Sequence, residues 1–88
     1  MTEAPWTYVI TPPARRDLRR LGRPIKKRVV EALDHFVANP QASDARKLAG
    51  SDEWRLRVGN WRVRFNFDDQ ARAIIVTRVL PRGRAYDR

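Results

Sequence analysis

The composition of this chain excludes several kinds of functional site. It contains no cysteine, which rules out disulfide frameworks, zinc ribbons and thiol nucleophiles. His35 is the only histidine, so no metal site can be built from two histidines. The longest run of large aliphatic residues, Ile74 to Val76, is far too short to span a membrane. The first residues also lack the basic and apolar regions of a secretion signal, and we therefore expect a cytoplasmic protein.

Acidic residues and lysines are scarce as well. The 88 residues include 19 Lys and Arg against 10 Asp and Glu, which gives a net charge of +9 at pH 7. Only Lys26, Lys27 and Lys47 are lysines, so arginine carries nearly all of the positive charge. Its planar guanidinium binds phosphate or carboxylate through two hydrogen bonds at once, and we expect a polyanionic partner, either nucleic acid or an acidic protein. The length fits one domain over residues 1–88 with a single small core.

Hydrophobic periodicity predicts both helices and strands, because alternating apolar residues are typical of strands and apolar residues three or four apart are typical of helices. Proline opens each predicted helix, at Pro12 and Pro24, and Gly22 separates the two. The polar stretch over 40–52 is predicted to be a loop. The predicted elements are a strand over 6–11, helices over 12–21 and 24–39, and strands over 54–58, 61–67 and 71–80. This β-α-α-β-β-β order predicts an α+β fold in which a two-helix hairpin packs on one face of a mainly antiparallel sheet.

A two-residue turn over 59–60 connects the first two strands of the predicted hairpin and fixes their register. The register places Arg57 opposite Arg62 and Arg55 opposite Arg64, with all four guanidinium groups on the side facing away from the helices. Like charges directly opposite one another destabilise a sheet, and no acidic residue is expected among these four. One interpretation is an ordinary solvated face. We favour the other, an anionic ligand that neutralises the arginines, with Arg64 among the RNA-binding residues.

Basic residues continue beyond the last strand, where Arg82 and Arg84 precede Tyr86. An aromatic side chain flanked by arginines suits single-stranded RNA, which offers bases for stacking and phosphates for ion pairing. Arg84 and Arg78 are therefore predicted to contact RNA. A basic tail without this function is the alternative, and the register that decides where Arg78 points stays open because both faces of the last strand are apolar.

These features together resemble the RelE/ParE toxin superfamily. The resemblance rests on the β-α-α-β-β-β order, the hairpin sequence over 53–65, the segment over 47–50 that leads into it, and the residues over 82–86. It implies the toxin of a type II toxin–antitoxin system, with an acidic RelB-like antitoxin as its partner. RelE-type members bind the ribosome and cut mRNA in the A site without a metal or cofactor, by attack of the 2′-hydroxyl on the adjacent phosphate. The resemblance thus implies an endoribonuclease with no small-molecule ligand.

The same resemblance implies which residues are catalytic: Arg55, Arg57, Arg62, Arg82 and Tyr86. RelE-type sites carry lysines where Arg55 and Arg57 stand. Because arginine stays protonated in proteins, we expect the arginines to orient the phosphate and stabilise developing charge rather than accept a proton. Tyr86 is expected to stack on a base or to take part in proton transfer.

Two other functions stay open at this point. A ParE-like DNA gyrase inhibitor would share the fold and depend on protein contacts instead of a phosphate-cleaving cluster. A non-catalytic RNA-binding module would use the same charge without toxicity. His35 is expected to be structural, since it lies beside apolar residues late in the second predicted helix.

Overall fold

The computed structural model describes residues 6–39 and 45–81, which form two helices and a mixed sheet. The elements are β1 (Thr7–Ile10), α1 (Pro12–Leu21), α2 (Arg23–Ala38), β2 (Arg46–Lys47), β3 (Trp54–Val58), β4 (Trp61–Asp68) and β5 (Ala73–Pro81). The sheet order is β1-β5-β4-β3-β2, in which β1 and β5 are parallel and the other pairs are antiparallel. The predicted fold class is confirmed. The predicted unbroken loop over 40–52 is wrong at β2, which adds a fifth strand at the edge of the sheet beside β3.

The helices begin and end where the sequence signals predicted, within one residue. Thr11 precedes α1 in an extended conformation, and its side-chain oxygen accepts a hydrogen bond from the Ala14 amide. Gly22 separates the helices with a φ of 89°, a left-handed value that favours glycine. Neither helix in the described ranges is long and apolar enough to cross a membrane.

The core lies between the helices and one face of the sheet. Both helices contribute a buried stripe, and β3, β4 and β5 contribute the facing side chains. The fully enclosed members include Val29, Leu33, Val63, Phe65, Ile74, Val76 and Val79. Because side chains alternate along β3 and β4, the residues between the buried positions of these two strands point away from α1 and α2, to the face that we call the open face.

Helix α1 also covers part of a sheet edge. Strand β1 pairs with β5 only from Ala73 to Val76, so no strand of the described residues lies beside the remainder of β5 on that side. Asp17 of α1 lies there and accepts a hydrogen bond from the Val79 amide at 2.9 Å. A carboxylate thus takes the place of a strand carbonyl, which satisfies a backbone donor that would otherwise be buried without a partner.

Candidate anion-binding site

The hairpin of β3 and β4 has the predicted register. Arg57 is the Cα partner of Arg62, and Arg55 is the Cα partner of Arg64. The alternate residues Leu56 and Val63 are buried in the core, so the arginines belong to the open face. The sequence pattern therefore placed all four arginines on the correct side of the sheet.

Strand β2 brings a further arginine to this face. Arg46 is the Cα partner of Arg55, and the two line an open recess of about 370 Å³ together with Arg57 and Arg62. We call these four residues the recess arginines. Arg46 was not among the predicted site residues, because a strand of two residues has no periodicity to detect. The only available signal was its position shortly before the hairpin, within a stretch that was predicted to be a loop.

The recess arginines differ in exposure. Arg46 and Arg57 are exposed, Arg55 is half-buried, and Arg62 is only 2% exposed. Within residues 6–39 and 45–81, no carboxylate forms an ion pair with Arg46 or Arg57. Because Arg62 is buried, water screens its charge less than that of an exposed arginine. Arg62 therefore attracts an anion in the recess more strongly than an exposed arginine would.

Arg64 does not line the recess, although it is the Cα partner of Arg55. Its guanidinium forms an ion pair with Glu53, whose other carboxylate oxygen accepts a hydrogen bond of 2.7 Å from the Thr77 hydroxyl. The expectation that no acidic residue lies among the hairpin arginines is therefore wrong for Arg64. The signal was present in the sequence, because Glu53 precedes Arg55 by two residues and alternation places both on one face.

Arg78 is also held by a carboxylate. It donates two hydrogen bonds to Asp17, from Nε at 2.7 Å and from Nη2 at 3.1 Å. Burial alone would raise the pKa of Asp17, but the hydrogen bonds from Arg78 and Val79 and the positive charges of Arg78 and Arg20 outweigh it and lower this pKa. The bond to Asp17 in turn raises the pKa of Arg78. Because each is paired with a carboxylate, we call Arg64 and Arg78 the matched arginines.

The predicted residues Arg82, Arg84 and Tyr86 lie outside the described residues. The structure therefore brings together Arg55, Arg57 and Arg62 of the predicted catalytic set and adds Arg46. The predicted RNA-binding residues Arg64 and Arg78 are each bound to a carboxylate.

The chemistry open to the recess is electrostatic. Four guanidinium groups offer many hydrogen-bond donors in rigid forks that match phosphate oxygens, and none of them accepts a proton. Within residues 6–39 and 45–81, no three His, Cys, Asp or Glu side chains are grouped to hold a metal ion. The described part of the site can thus bind and polarise a phosphate, while proton transfer requires groups other than the recess arginines.

Comparison with known proteins shows which family and which solved structures this chain is similar to. A family model described as the ParE toxin of the type II toxin–antitoxin system parDE matches residues 8–86. The search of curated proteins found no match. The toxin–antitoxin complex RelBE2 of Mycobacterium tuberculosis contains a chain that is 28% identical, with a TM-score of 0.79 over 90% of this chain and 100% of that one. The archaeal RelE–RelB complex of Pyrococcus horikoshii OT3 contains one that is 25% identical, with a TM-score of 0.75 over 92% and 99%.

Proposed function

This chain belongs to the ParE toxin family of type II toxin–antitoxin systems, and we propose that it acts as an endoribonuclease that cleaves mRNA in the ribosomal A site. The observation that carries the proposal is the recess, in which four arginines from three strands converge on the open face. Such a site is complementary to a phosphodiester, because it places several fixed donors around one small anionic volume.

The proposed reaction is a transesterification within the RNA strand. The 2′-oxygen of one nucleotide loses its proton and attacks the adjacent phosphorus, and the bond from phosphorus to the 5′-oxygen of the next nucleotide breaks. The 5′-oxygen takes up a proton, which leaves a 2′,3′-cyclic phosphate and a free 5′-hydroxyl. Negative charge accumulates on the phosphate oxygens on the way, and preorganised guanidinium groups stabilise it more in the transition state than in the ground state.

The recess suggests a division of roles. Arg57 and Arg62 face one another across the hairpin, and we assign them to the scissile phosphate, with Arg55 supplying further positive charge. Arg82 and Tyr86 complete the proposed catalytic set. Tyr86 is the candidate for stacking on a base or for proton transfer, since the recess arginines remain charged.

Transcript mapping after brief induction of the toxin alone in bacteria tests this proposal. Wild-type protein should arrest translation and produce new 5′-ends within codons of translated messages. Arg57→Ala should lower the cutting rate by about 10²–10³-fold, because it removes one preorganised contact to the phosphate. Arg23→Ala, which removes another exposed arginine at the start of α2, serves as the control and should cut like the wild type. Unchanged cutting by Arg57→Ala would contradict the assignment.

Inhibition of DNA gyrase is the second candidate, because the matching family model is described as a ParE toxin and gyrase inhibition is what a ParE-like toxin implies. A gyrase inhibitor should induce the DNA-damage response while protein synthesis is initially intact, and it should leave no cuts in messages. A non-catalytic RNA-binding module should do neither. The same induction experiment, followed by pulse labelling of protein and a damage-response reporter, separates all three.

An acidic RelB-like antitoxin is the proposed partner in the cell. The net charge of +9 favours an acidic protein, and the two similar structures above are complexes of a toxin with its antitoxin. Copurification of this chain with the product of an adjacent small acidic reading frame tests the partner. Failure of the two proteins to associate would contradict it.

A further inference from the structure

The recess arginines stand in two rows across the open face. Arg46 and Arg55 are Cα partners on β2 and β3, whereas Arg57 and Arg62 are Cα partners on β3 and β4. Paired strands lie about 4.8 Å apart, so the two guanidinium groups of one row can reach the same phosphate. Arg57 lies two positions after Arg55 on β3, which places the rows about 6.6 Å apart.

This separation is similar to the distance between successive phosphates of an extended nucleic-acid strand. Resting on the proposed function, we infer that the recess binds two successive phosphates of one RNA strand, and that Arg46 is a positioning residue for the second. The row of Arg57 and Arg62 holds the scissile phosphate, and the row of Arg46 and Arg55 holds its neighbour. The recess of about 370 Å³ is lined by the exposed Arg46 and Arg57, so a single strand can enter it from solvent.

Each row has one exposed arginine, Arg46 or Arg57, but the other members differ, because Arg55 is half-buried and Arg62 is almost fully buried. Arg62 is 2% exposed and belongs to a central strand, so its guanidinium is held by the protein before RNA arrives. Arg46 is exposed on the two-residue edge strand. A buried, fixed cation suits transition-state stabilisation, whereas an exposed cation at the rim of the recess contributes to binding the ground state and to placing the strand.

The neighbouring Lys47 provides a matched control. It is also exposed, also basic and also on β2, but its Cα partner is Trp54, whereas that of Arg46 is Arg55. Successive side chains of a strand point to opposite faces, so Lys47 does not face the recess. Removal of either residue takes away one charge from the same strand, and only removal of Arg46 changes the recess.

The inference is tested with the purified toxin and two uncleavable ligands, the dinucleotide and the trinucleotide of 2′-O-methyluridine without terminal phosphates. They carry one and two phosphates, and methylation blocks the attacking oxygen. In NMR titrations at low salt, the wild type should bind the trinucleotide about tenfold more tightly than the dinucleotide, since charge-assisted hydrogen bonds to the second phosphate are gained. Arg46→Ala should remove most of this preference without weakening the dinucleotide, and Lys47→Ala should leave both affinities unchanged.

The salt dependence of binding gives a second readout. With a longer 2′-O-methyl oligonucleotide, Arg46→Ala should reduce the slope of log affinity against log salt by about 0.7, the value for one phosphate contact on a single strand. Arg46→Lys should restore the slope, because it restores the charge, but only part of the trinucleotide preference, because lysine lacks the planar fork. Circular dichroism of each variant establishes that the fold is retained.

The inference is overturned if the wild type binds both ligands equally or binds neither. It is also overturned if Arg46→Ala weakens both ligands to the same extent, or if Lys47→Ala has the same effect as Arg46→Ala. These outcomes are independent of cleavage. A trinucleotide preference that depends on Arg46 in a protein that cuts no messages would contradict the proposed nuclease alone, whereas codon-specific cutting without such a preference would contradict the two-phosphate recess alone.

Discussion

The matched arginines and the recess arginines occupy the same sheet but differ in what balances their charge. Arg64 is bound by Glu53 and Arg78 by Asp17, and each of these carboxylates has a further hydrogen bond, from Thr77 and Val79 respectively. The recess arginines converge from three strands, and Arg46 and Arg57 among them form no ion pair with a carboxylate of the described residues. The same side chain therefore serves two purposes, and its surroundings decide which.

This difference predicts a division between stability and function. An ion pair that is buried and hydrogen-bonded costs stability when one partner is removed, because the other is left uncompensated. Arg57 and Arg62 are opposite one another on adjacent strands, and like charges in that position repel, so an anion bound beside them is stabilising. We therefore expect loss of a matched pair to lower the free energy of unfolding, and loss of a recess arginine to lower binding.

The largest effect on stability is expected from Asp17→Asn. Asp17 is 7% exposed and accepts three hydrogen bonds, and the substitution leaves Arg78 facing a neutral amide. We expect the free energy of unfolding at pH 7 to fall by about 2–3 kcal/mol. A fully buried ion pair would cost more to break, but Arg78 is partly exposed to solvent. Urea denaturation measures the change. Asp69→Asn, at an exposed turn position, is the control and should change stability by less than about 0.5 kcal/mol.

The pH dependence of stability in the wild type and in Asp17→Asn gives a second test of the ion pair. The hydrogen bonds from Arg78 and Val79 outweigh burial and hold the pKa of Asp17 in the folded protein below the ordinary value for an aspartate, so its carboxylate stabilises the fold at neutral pH. This contribution is fully present above the unfolded pKa and is lost as the pH falls through the folded pKa. The stability difference between wild type and Asp17→Asn should therefore shrink below about pH 4. A difference that is the same at pH 7 and pH 3 would contradict the ion pair.

The sequence predicted the fold class and the hairpin register because both depend on local signals. A two-residue turn fixes which residues of the hairpin are opposite, so Arg57 and Arg62 could be paired from the sequence. Strand β2 could not be predicted, since two residues give no periodicity. The pairing of Asp17 with Arg78 was also out of reach, because it depends on how α1 lies along the edge of β5, 61 residues away.

Glu53→Gln tests whether a matched arginine can be converted into a binding residue. The ion pair with Arg64 is partly exposed, so we expect a loss of about 1 kcal/mol in the free energy of unfolding. Release of Arg64 on the open face should also increase the salt slope of oligonucleotide binding by about 0.7, as one added phosphate contact does. Denaturation and fluorescence anisotropy measure the two effects. Asp52→Asn, one residue earlier and exposed, removes the same charge and should leave the slope unchanged.

Arg57→Ala is expected to have the smallest effect on stability. A change close to zero would distinguish the recess arginines from the matched arginines. Arg57 is exposed and faces Arg62, so its removal relieves a repulsion and breaks no ion pair among the described residues. The free energy of unfolding should stay within about 0.5 kcal/mol of the wild type.

The effect of salt on thermal stability distinguishes Arg57→Ala from Arg64→Ala. Because added salt screens exposed charges, the wild type should gain more thermal stability from sodium chloride than Arg57→Ala does. The matched variant Arg64→Ala should instead be destabilised by about 1 kcal/mol, since Glu53 loses its partner. Thermal unfolding of the three proteins at low and high salt measures both trends. Equal destabilisation by Arg57→Ala and Arg64→Ala would mean that both arginines are structural, and the recess would then have no surplus charge to offer a phosphate.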